Sequence, residues 1–316
     1  MALFQHPVAL LLAEAASPGS KSIYHLFDYF LIAATVVFSI VTFLVLYISY
    51  RYRGKSEDPD PKQVFGNKKI EISLTLITFA VVGFYFYLTI STMISIQHPA
   101  GNQKPDVVIT GHQWWWEVEY PKAGVTAANE VHLPVGKKLL IDLKSADVIH
   151  DWWVPALGRK MDMIPGRTNH LWLTIDKKGT FVGACSEYCG AEHAWMRIHV
   201  IAQSPAAFKK WEKEQEKPAD SPQSYMAVKG DSLFMKSTCV NCHSIKGTPA
   251  NGDVGPDLTH LGSRRTILAG MLKNNPENLT RWLDNPQNVK KGANMPNFML
   301  SNIQVKELVT YLEGLK

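Results

Sequence analysis

Twice the chain sheds its charge for the length of a bilayer crossing. From Tyr29 to Tyr50, and again from Ile72 to Gln97, no Asp, Glu, Lys or Arg interrupts an apolar run, and about 20 such residues suffice to cross the hydrocarbon core as a helix. The pattern predicts two transmembrane helices, with Tyr24, Tyr47, Tyr50 and Tyr52 placed to sit at the interfaces. From Asp106 to about Gln203 the pattern changes to short bursts rich in β-branched and aromatic residues, among them "DVVITGHQWWWEVEY", "NHLWLTI", "TFVGAC" and "RIHVIA", separated by Gly, Pro, Lys and Asp. Such spacing predicts a β-sandwich or barrel. The next stretch, "SPAAFKKWEKEQEKPADSPQS", is charged and nearly free of aliphatic residues. It reads as a linker holding one or two helical turns and crossed by few tertiary contacts. Beyond Tyr225 apolar residues recur at i, i+3 and i+4, in "SYMAVKGDSLFMKS", "PENLTRWLDNPQNV" and "NIQVKELVTYLEGL", which predicts a small all-α domain.

These transitions divide the 316 residues into an N-terminal segment (1–21), a transmembrane hairpin (22–100), a β-domain (101–204), a linker (205–224) and a helical domain (225–316). The N-terminal segment is a possible signal peptide, with a short apolar run in "VALLLAEAA" but no basic region before it. The loop between the two spans carries Arg51, Arg53, Lys55, Lys62, Lys68 and Lys69, against the single Lys21 ahead of the first span. A positive loop stays in the cytoplasm, so everything after about residue 98 is expected on the outer face of the membrane. The helical domain carries eleven Lys and Arg against seven Asp and Glu, while residues 101–204 balance at eleven of each. A modest basic excess suits an acidic partner or anionic headgroups. Without interleaved aromatics it does not make a nucleic-acid surface.

All four cysteines fall into two motifs, so none is left for a structural disulfide on a face where disulfides would form. In "CVNCH", residues 239–243, the spacing is that of c-type haem attachment, with Cys239 and Cys242 forming thioether bonds and His243 ligating the iron. A redox Cys-x-x-Cys or half a zinc site is the competing reading. An electron-transfer haem wants a second axial ligand, and a Met thioether raises its potential. Met295, in the loop-forming "GANMPNFML", is the candidate.

The other motif, "CSEYCGAEHAWM" at residues 185–196, gathers Cys185, Cys189, His193 and Met196 within twelve positions. Thiolate, thioether and imidazole together select copper. A mononuclear blue-copper site takes one Cys, two His and a weak axial Met, so the second thiolate points to a pair of bridged metal ions, each needing one imidazole. His150, in "SADVIHDWWVP", ends a predicted strand and is the candidate for the second imidazole. Zinc is the alternative, disfavoured by Met196 and by the β-rich setting.

These residues carry a resemblance. His150 to Met196, "GHQWWWEVEY" and the two-span hairpin are similar to subunit II of haem-copper cytochrome c oxidases. "CVNCH", "VGPDLTHLGSR" and "NMPNF" resemble a class I cytochrome c. The whole resembles the caa-type subunit II, in which a cytochrome c domain is fused to the C-terminus. The resemblance implies a two-helix hairpin, a cupredoxin-like β-sandwich holding a dinuclear CuA centre, and a cytochrome c domain. It implies CuA ligation by His150, Cys185, Cys189, His193 and Met196, with Glu187 giving its backbone carbonyl, and its carboxylate to a magnesium ion shared with subunit I. It further makes Trp114 the aromatic that receives electrons near copper. Glu71, an ionisable group at the start of the second span, would open a proton channel into subunit I, although the family's Trp-Thr and Pro are here replaced by "SLTLIT".

The expected function is that of an oxidase subunit in a bacterial inner membrane, with subunits I and III as partners. It would pass electrons from a cytochrome or other periplasmic donor through haem c and CuA to subunit I, where oxygen is reduced and protons are translocated. A CuA-bearing subunit of a nitric oxide reductase, a stand-alone membrane-tethered carrier and a metal-delivery chaperone are the rival expectations.

Overall fold

The computed structural model describes residues 14–54, 62–63 and 65–316. Two long helices, α1 (Pro18–Arg51) and α2 (Lys68–Ile96), fill the charge-free runs and extend into their flanks. Their side chains, Phe38 and Phe79 among them, are exposed along the length, as suits helices whose solvent is lipid. Tyr85 Oη donates to the Tyr29 carbonyl (2.7 Å), joining the two helices. At the start of α2 the Asn67 side chain accepts from the backbone N–H groups of Lys69 and Ile70, and Glu71 accepts from the N–H of Asn67. Glu71 therefore has a capping role.

The β-domain is a sandwich of two five-stranded sheets. One holds, in order, β3 (Val125–Ala128), β2 (Trp115–Tyr120), β1 (Val107–His112), β5 (Leu139–Ser145) and β8 (Asn169–Leu173). The other holds β4 (Glu130–Pro134), β10 (Arg197–Gln203), β9 (Gly179–Cys185), β6 (His150–Trp153) and β7 (Met161–Met163). Pairing is antiparallel except for β1 with β5 and β4 with β10, which are parallel. Strand alternation supplies the core: on β2 the side chains of Trp116, Val118 and Tyr120 are buried while Trp115, Glu117 and Glu119 are half-buried. They meet Ile109, Leu133, Ile141, Leu143, Ile198 and Val200 between the sheets.

The apolar stretch considered as a signal lies mostly outside the described residues. Its last residue, Ala16, and the adjoining Ser17 are bonded to the sandwich. The Ala16 N–H donates to the Ala156 carbonyl, the Asp176 N–H donates to the Ala16 carbonyl, and Ser17 Oγ donates to the Leu157 carbonyl.

The loosely held linker expected over 205–224 is not what forms. Helix α3 (Pro205–Gln215), capped by Ser204, lays Phe208 and Trp211 on the sandwich, where Trp211 stacks on His132 (4.2 Å between centroids) and meets Tyr120 edge-on. The next residues are bound to the C-terminal domain: the Ala219 N–H donates to the Lys246 carbonyl and Lys246 Nζ donates to the Glu216 carbonyl. Two aromatics three positions apart are enough to seat a helix that is otherwise polar.

The C-terminal domain is helical. Helices α4 (Tyr225–Lys236) and α7 (Asn302–Gly314) cross at Gly230, where a Cβ would come 2.1 Å from the Glu307 carbonyl oxygen. Only glycine permits that approach. The stretch around Trp282 is split into α5 (Pro276–Asp284) and α6 (Pro286–Val289), because Pro286 cannot continue a helix and Asn285 caps a new one. A minimal ribbon, β11 (Thr266–Ile267) with β12 (Leu272–Lys273), adds a feature the helical periodicity did not foreshadow.

Candidate metal and haem centres

The β9–β10 connection brings the sulfur donors together. Cys185 ends β9 and Met196 immediately precedes β10, whose Arg197 is in register with Ala184, so the twelve-residue loop is anchored at both ends by one hairpin. His150 begins β6, which pairs with β9 so that Trp152 opposes Cys185. Its ring fits because β1 has Gly111 beneath it, where a Cβ would lie 2.9 Å from the imidazole. The side-chain donors of His150, Cys185 and Cys189 lie within 4.8 Å of one another, and all three residues are buried. The two sulfurs are 3.8 Å apart. His150 Nδ1 is 3.9 Å from Cys185 Sγ, and His193 Nδ1 is 3.5 Å from Cys189 Sγ. Met196 Sδ lies 3.9 Å from Cys189 Sγ, and the Glu187 carbonyl oxygen lies 3.3 Å from Cys185 Sγ. His193, Met196 and the Glu187 carbonyl thus each approach one sulfur of the three-residue cluster, while the Glu187 side chain is exposed.

The two thiols share their acidity unequally. A hydrogen bond with Cys189 pulls Cys185 far below the usual thiol range against the opposing effect of burial, and the same bond pushes Cys189 up. At His150 burial opposes the charged ring, but bonds to Cys185 and Asp147 outweigh it and raise the pKa. Asp147 Oδ1 lies 2.8 Å from His150 Nε2, and its Oδ2 accepts from the Gln113 N–H. Asp147 was missed by sequence reasoning, although a carboxylate three positions before a histidine donor is a recurring orienting partner. Asp151, also missed, is buried, and desolvation raises its pKa to about 7.

In the helical domain Cys239, Cys242, His243 and Met295 line one cavity of about 220 Å³. Phe234, Leu261, Leu279, Leu283, Leu308 and Leu312 supply apolar walls. His243 Nδ1 lies 2.8 Å from the Pro256 carbonyl. A proton on Nδ1 would be donated there, leaving Nε2 as a neutral ligand, and burial lowers the ring's pKa further in that direction. Gln287 Nε2 donates to the carbonyls of Ala293 and Met295, fixing the loop that carries the thioether. Arg264, unassigned from sequence, is a cationic member of the lining. An apolar slot with two tethering sulfurs, an imidazole and a thioether fits a porphyrin.

Trp114 belongs to both neighbourhoods. Its Nε1 donates to the Cys189 carbonyl (2.9 Å), and Gln113 Nε2 donates to the same oxygen (2.8 Å). Gln113, Trp114 and Trp115 also line the cavity in the helical domain. From that domain Lys290 Nζ donates to the Trp114 carbonyl and Asn294 Nδ2 donates to the Gln113 carbonyl. Sequence could not have paired these residues, which lie some 180 positions apart.

Three family models match parts of the chain. The family model for the periplasmic domain of cytochrome c oxidase subunit II matches residues 123–203, that for its transmembrane domain matches residues 5–91, and that for cytochrome c matches residues 227–316. Cytochrome c oxidase subunit 2 of Alkalihalophilus pseudofirmus is 36% identical over 312 residues, covering 96% of this chain and 90% of its own. The Bacillus subtilis counterpart is 31% identical over 295 residues, covering 87% and 83%. Among solved structures, the periplasmic domain of subunit II of cytochrome oxidase of Bradyrhizobium japonicum is 34% identical, with a TM-score of 0.35 over 36% of this chain and 96% of that one.

Proposed function

Since the chain belongs to the cytochrome c oxidase subunit 2 family and carries a cytochrome c domain, we propose that it receives electrons at a covalently bound haem c and delivers them through a dinuclear CuA centre to subunit I. Its place in a haem-copper oxidase, as a membrane subunit with periplasmic domains, follows from the family. The finer assignments are a proposal: CuA held by His150, Cys185, Glu187, Cys189, His193 and Met196, and haem held by Cys239, Cys242, His243 and Met295. Subunits I and III, a periplasmic donor, a magnesium ion on the exposed Glu187 carboxylate and a proton role for Glu71 complete the reading.

The observation that carries it is the approach of two thiols, an imidazole, a thioether and a carbonyl of one loop to one another and to the His150 imidazole at the start of β6. When bound, the metals supply the one-electron redox chemistry. The chain's part is to hold them still. Cys185 and Cys189, 3.8 Å apart, suit a bridge between two ions, and a site with its ligands already gathered needs little rearrangement when the charge changes. Asp147 and the Pro256 carbonyl each engage one ring nitrogen, leaving the other nitrogen of His150 and His243 for metal. Trp114 and Gln113, bonded to the carbonyl of a thiolate ligand, form the protein part of a short path to copper. The chain itself makes and breaks no bonds, so oxygen reduction belongs to subunit I.

Metal counting on the purified complex tests the proposal. Two coppers and one covalent haem iron per copy of this chain are expected, with a mixed-valence copper signal that Cys185→Ser abolishes. Zinc, or a single copper, overturns it.

A further inference from the structure

The helical domain is held to the sandwich by a specific clasp. Glu130, the first residue of β4, is 3% exposed. Its Oε1 accepts three hydrogen bonds from a segment some 135 residues away: from the N–H of Arg265 (2.9 Å), the N–H of Thr266 (2.8 Å) and Oγ1 of Thr266 (2.8 Å). The same ribbon is fastened at two further points. The Arg197 N–H donates to the Ala269 carbonyl (3.0 Å), and an Arg265 guanidinium nitrogen donates to Thr180 Oγ1 (2.9 Å). Charge-assisted bonds to a carboxylate are the stronger class of hydrogen bond, and a buried carboxylate stripped of them would keep only the longer approach of His132 Nε2 to its Oε2 (4.0 Å). The docked arrangement is therefore favoured over an undocked one.

Docking has a consequence at the cavity. With the ribbon in place, Gln113 and Trp114 form part of the wall of the cavity that holds His243 and Met295, and both reach the Cys189 carbonyl on their other side. We propose that Glu130 is a positioning residue for haem-to-copper electron transfer, clasping Arg265 and Thr266 so that the haem cavity stays closed by the segment bonded to the copper loop. This rests on the haem and copper assignments above. The transfer moves one electron from the haem iron to the copper pair, and no bond is made or broken. Its rate falls steeply with separation, so the observed rate follows the fraction of molecules that are docked.

The test uses the intact oxidase complex with Glu130→Ala, Glu130→Gln and Thr266→Val. Electrons are injected at haem c with a photoreductant while copper reduction is followed optically, and amide exchange is measured in parallel across residues 262–275. Loss of three bonds to one carboxylate predicts that Glu130→Ala slows internal transfer by about tenfold or more by shrinking the docked fraction. The Arg265 and Thr266 amides should exchange faster, while both midpoint potentials and both metal spectra stay as in the parent. Glu130→Gln keeps an acceptor oxygen in place and should remain within about threefold of the parent rate. Thr266→Val removes one bond in a nearly isosteric way and should accelerate exchange at Thr266 even if Glu130→Ala fails to fold.

A Glu130→Ala rate within about twofold of the parent, or a slowed rate without faster exchange at 265–266, overturns the clasp. So does unchanged exchange in Thr266→Val. Absence of two coppers or of the covalent haem in the parent complex would instead overturn the functional reading, and amide exchange would still decide the clasp.

Discussion

The copper loop and the haem cavity are neighbours built on opposite plans. At the copper loop, the side-chain donors of His150, Cys185 and Cys189 already lie within 4.8 Å of one another, and Cys185, Cys189 and Met196 pack into the hydrophobic core of the sandwich. In the helical domain the proposed ligands His243 and Met295 line a cavity of about 220 Å³, and Phe234, Leu258, Leu261, Ile267, Leu279, Leu283, Leu308 and Leu312 belong both to the cavity wall and to the domain's own hydrophobic core. A β-sandwich can carry a preformed site because its interior is filled by two facing sheets. In a domain of about ninety residues, the proposed haem would count as part of the core that walls it. On that reading the metals would be guests in the first case and the porphyrin structural in the second.

The largest expected effect comes directly from that contrast. The cavity of about 220 Å³ is walled by residues of the domain's own core, and a domain of this size has little stability to spare. Replacing Cys239 and Cys242 together by Ala should therefore let residues 225–316 exchange their amides freely in the full-length chain. Copper chelation should leave strands β1 to β10 as protected as before. Equal loss of protection in both domains would erase the contrast.

Replacing Met295 by Leu sharpens it further, since only one axial bond is removed while the slot stays filled. The haem should remain attached and its midpoint potential should fall by on the order of 0.1 V. A redox titration that returns the parent potential would move the axial role away from Met295.

Much of this arrangement was legible because its signals are local. Cys185, Cys189, His193 and Met196 share twelve positions, and "CVNCH" is contiguous. Strand alternation and the two charge-free runs have periods a sequence displays. What escaped is non-local. The bonds from Arg265 and Thr266 to Glu130 span some 135 positions, and those from Lys290 and Asn294 to Trp114 and Gln113 span more. A single carboxylate or amide leaves no period to read. Helix α3 is intermediate: its composition argued for a solvated linker, yet Phe208 and Trp211 stand three apart on one face, a short signal that the surrounding charge concealed.

That helix supplies the next test of where the sandwich ends. Trp211 stacks on His132 and packs edge-on against Tyr120, both part of the β-domain. Trp211→Ala should destabilise the sandwich by about 2 kcal/mol, less than a fully buried tryptophan because one face stays near solvent. A thermal midpoint within a degree of the parent would return residues 205–215 to the status of linker.

The smallest effect sits at the far end of the sandwich from the metals and probes whether its stability depends on charge at all. Asp106 Oδ1 accepts from Lys122 Nζ (2.7 Å) and Lys137 Nζ (3.1 Å), and Oδ2 accepts from the Leu140 N–H, tying the start of β1 to β5. Partial burial pushes its pKa up, but the bonds from Lys122, Leu140 and Lys137 together outweigh that and lower it. A carboxyl whose folded pKa lies below its unfolded value stabilises the fold at pH above about 4 and loses that contribution as pH falls through the folded pKa. Both lysines are well exposed, so screening holds the effect to within about 1 kcal/mol. Asp106→Asn should therefore lower the melting temperature slightly at pH 7, by less in high salt, and the difference from the parent should shrink as pH falls through the lowered folded pKa. A difference that is insensitive to both salt and acid would remove charge from the account of this end of the sandwich.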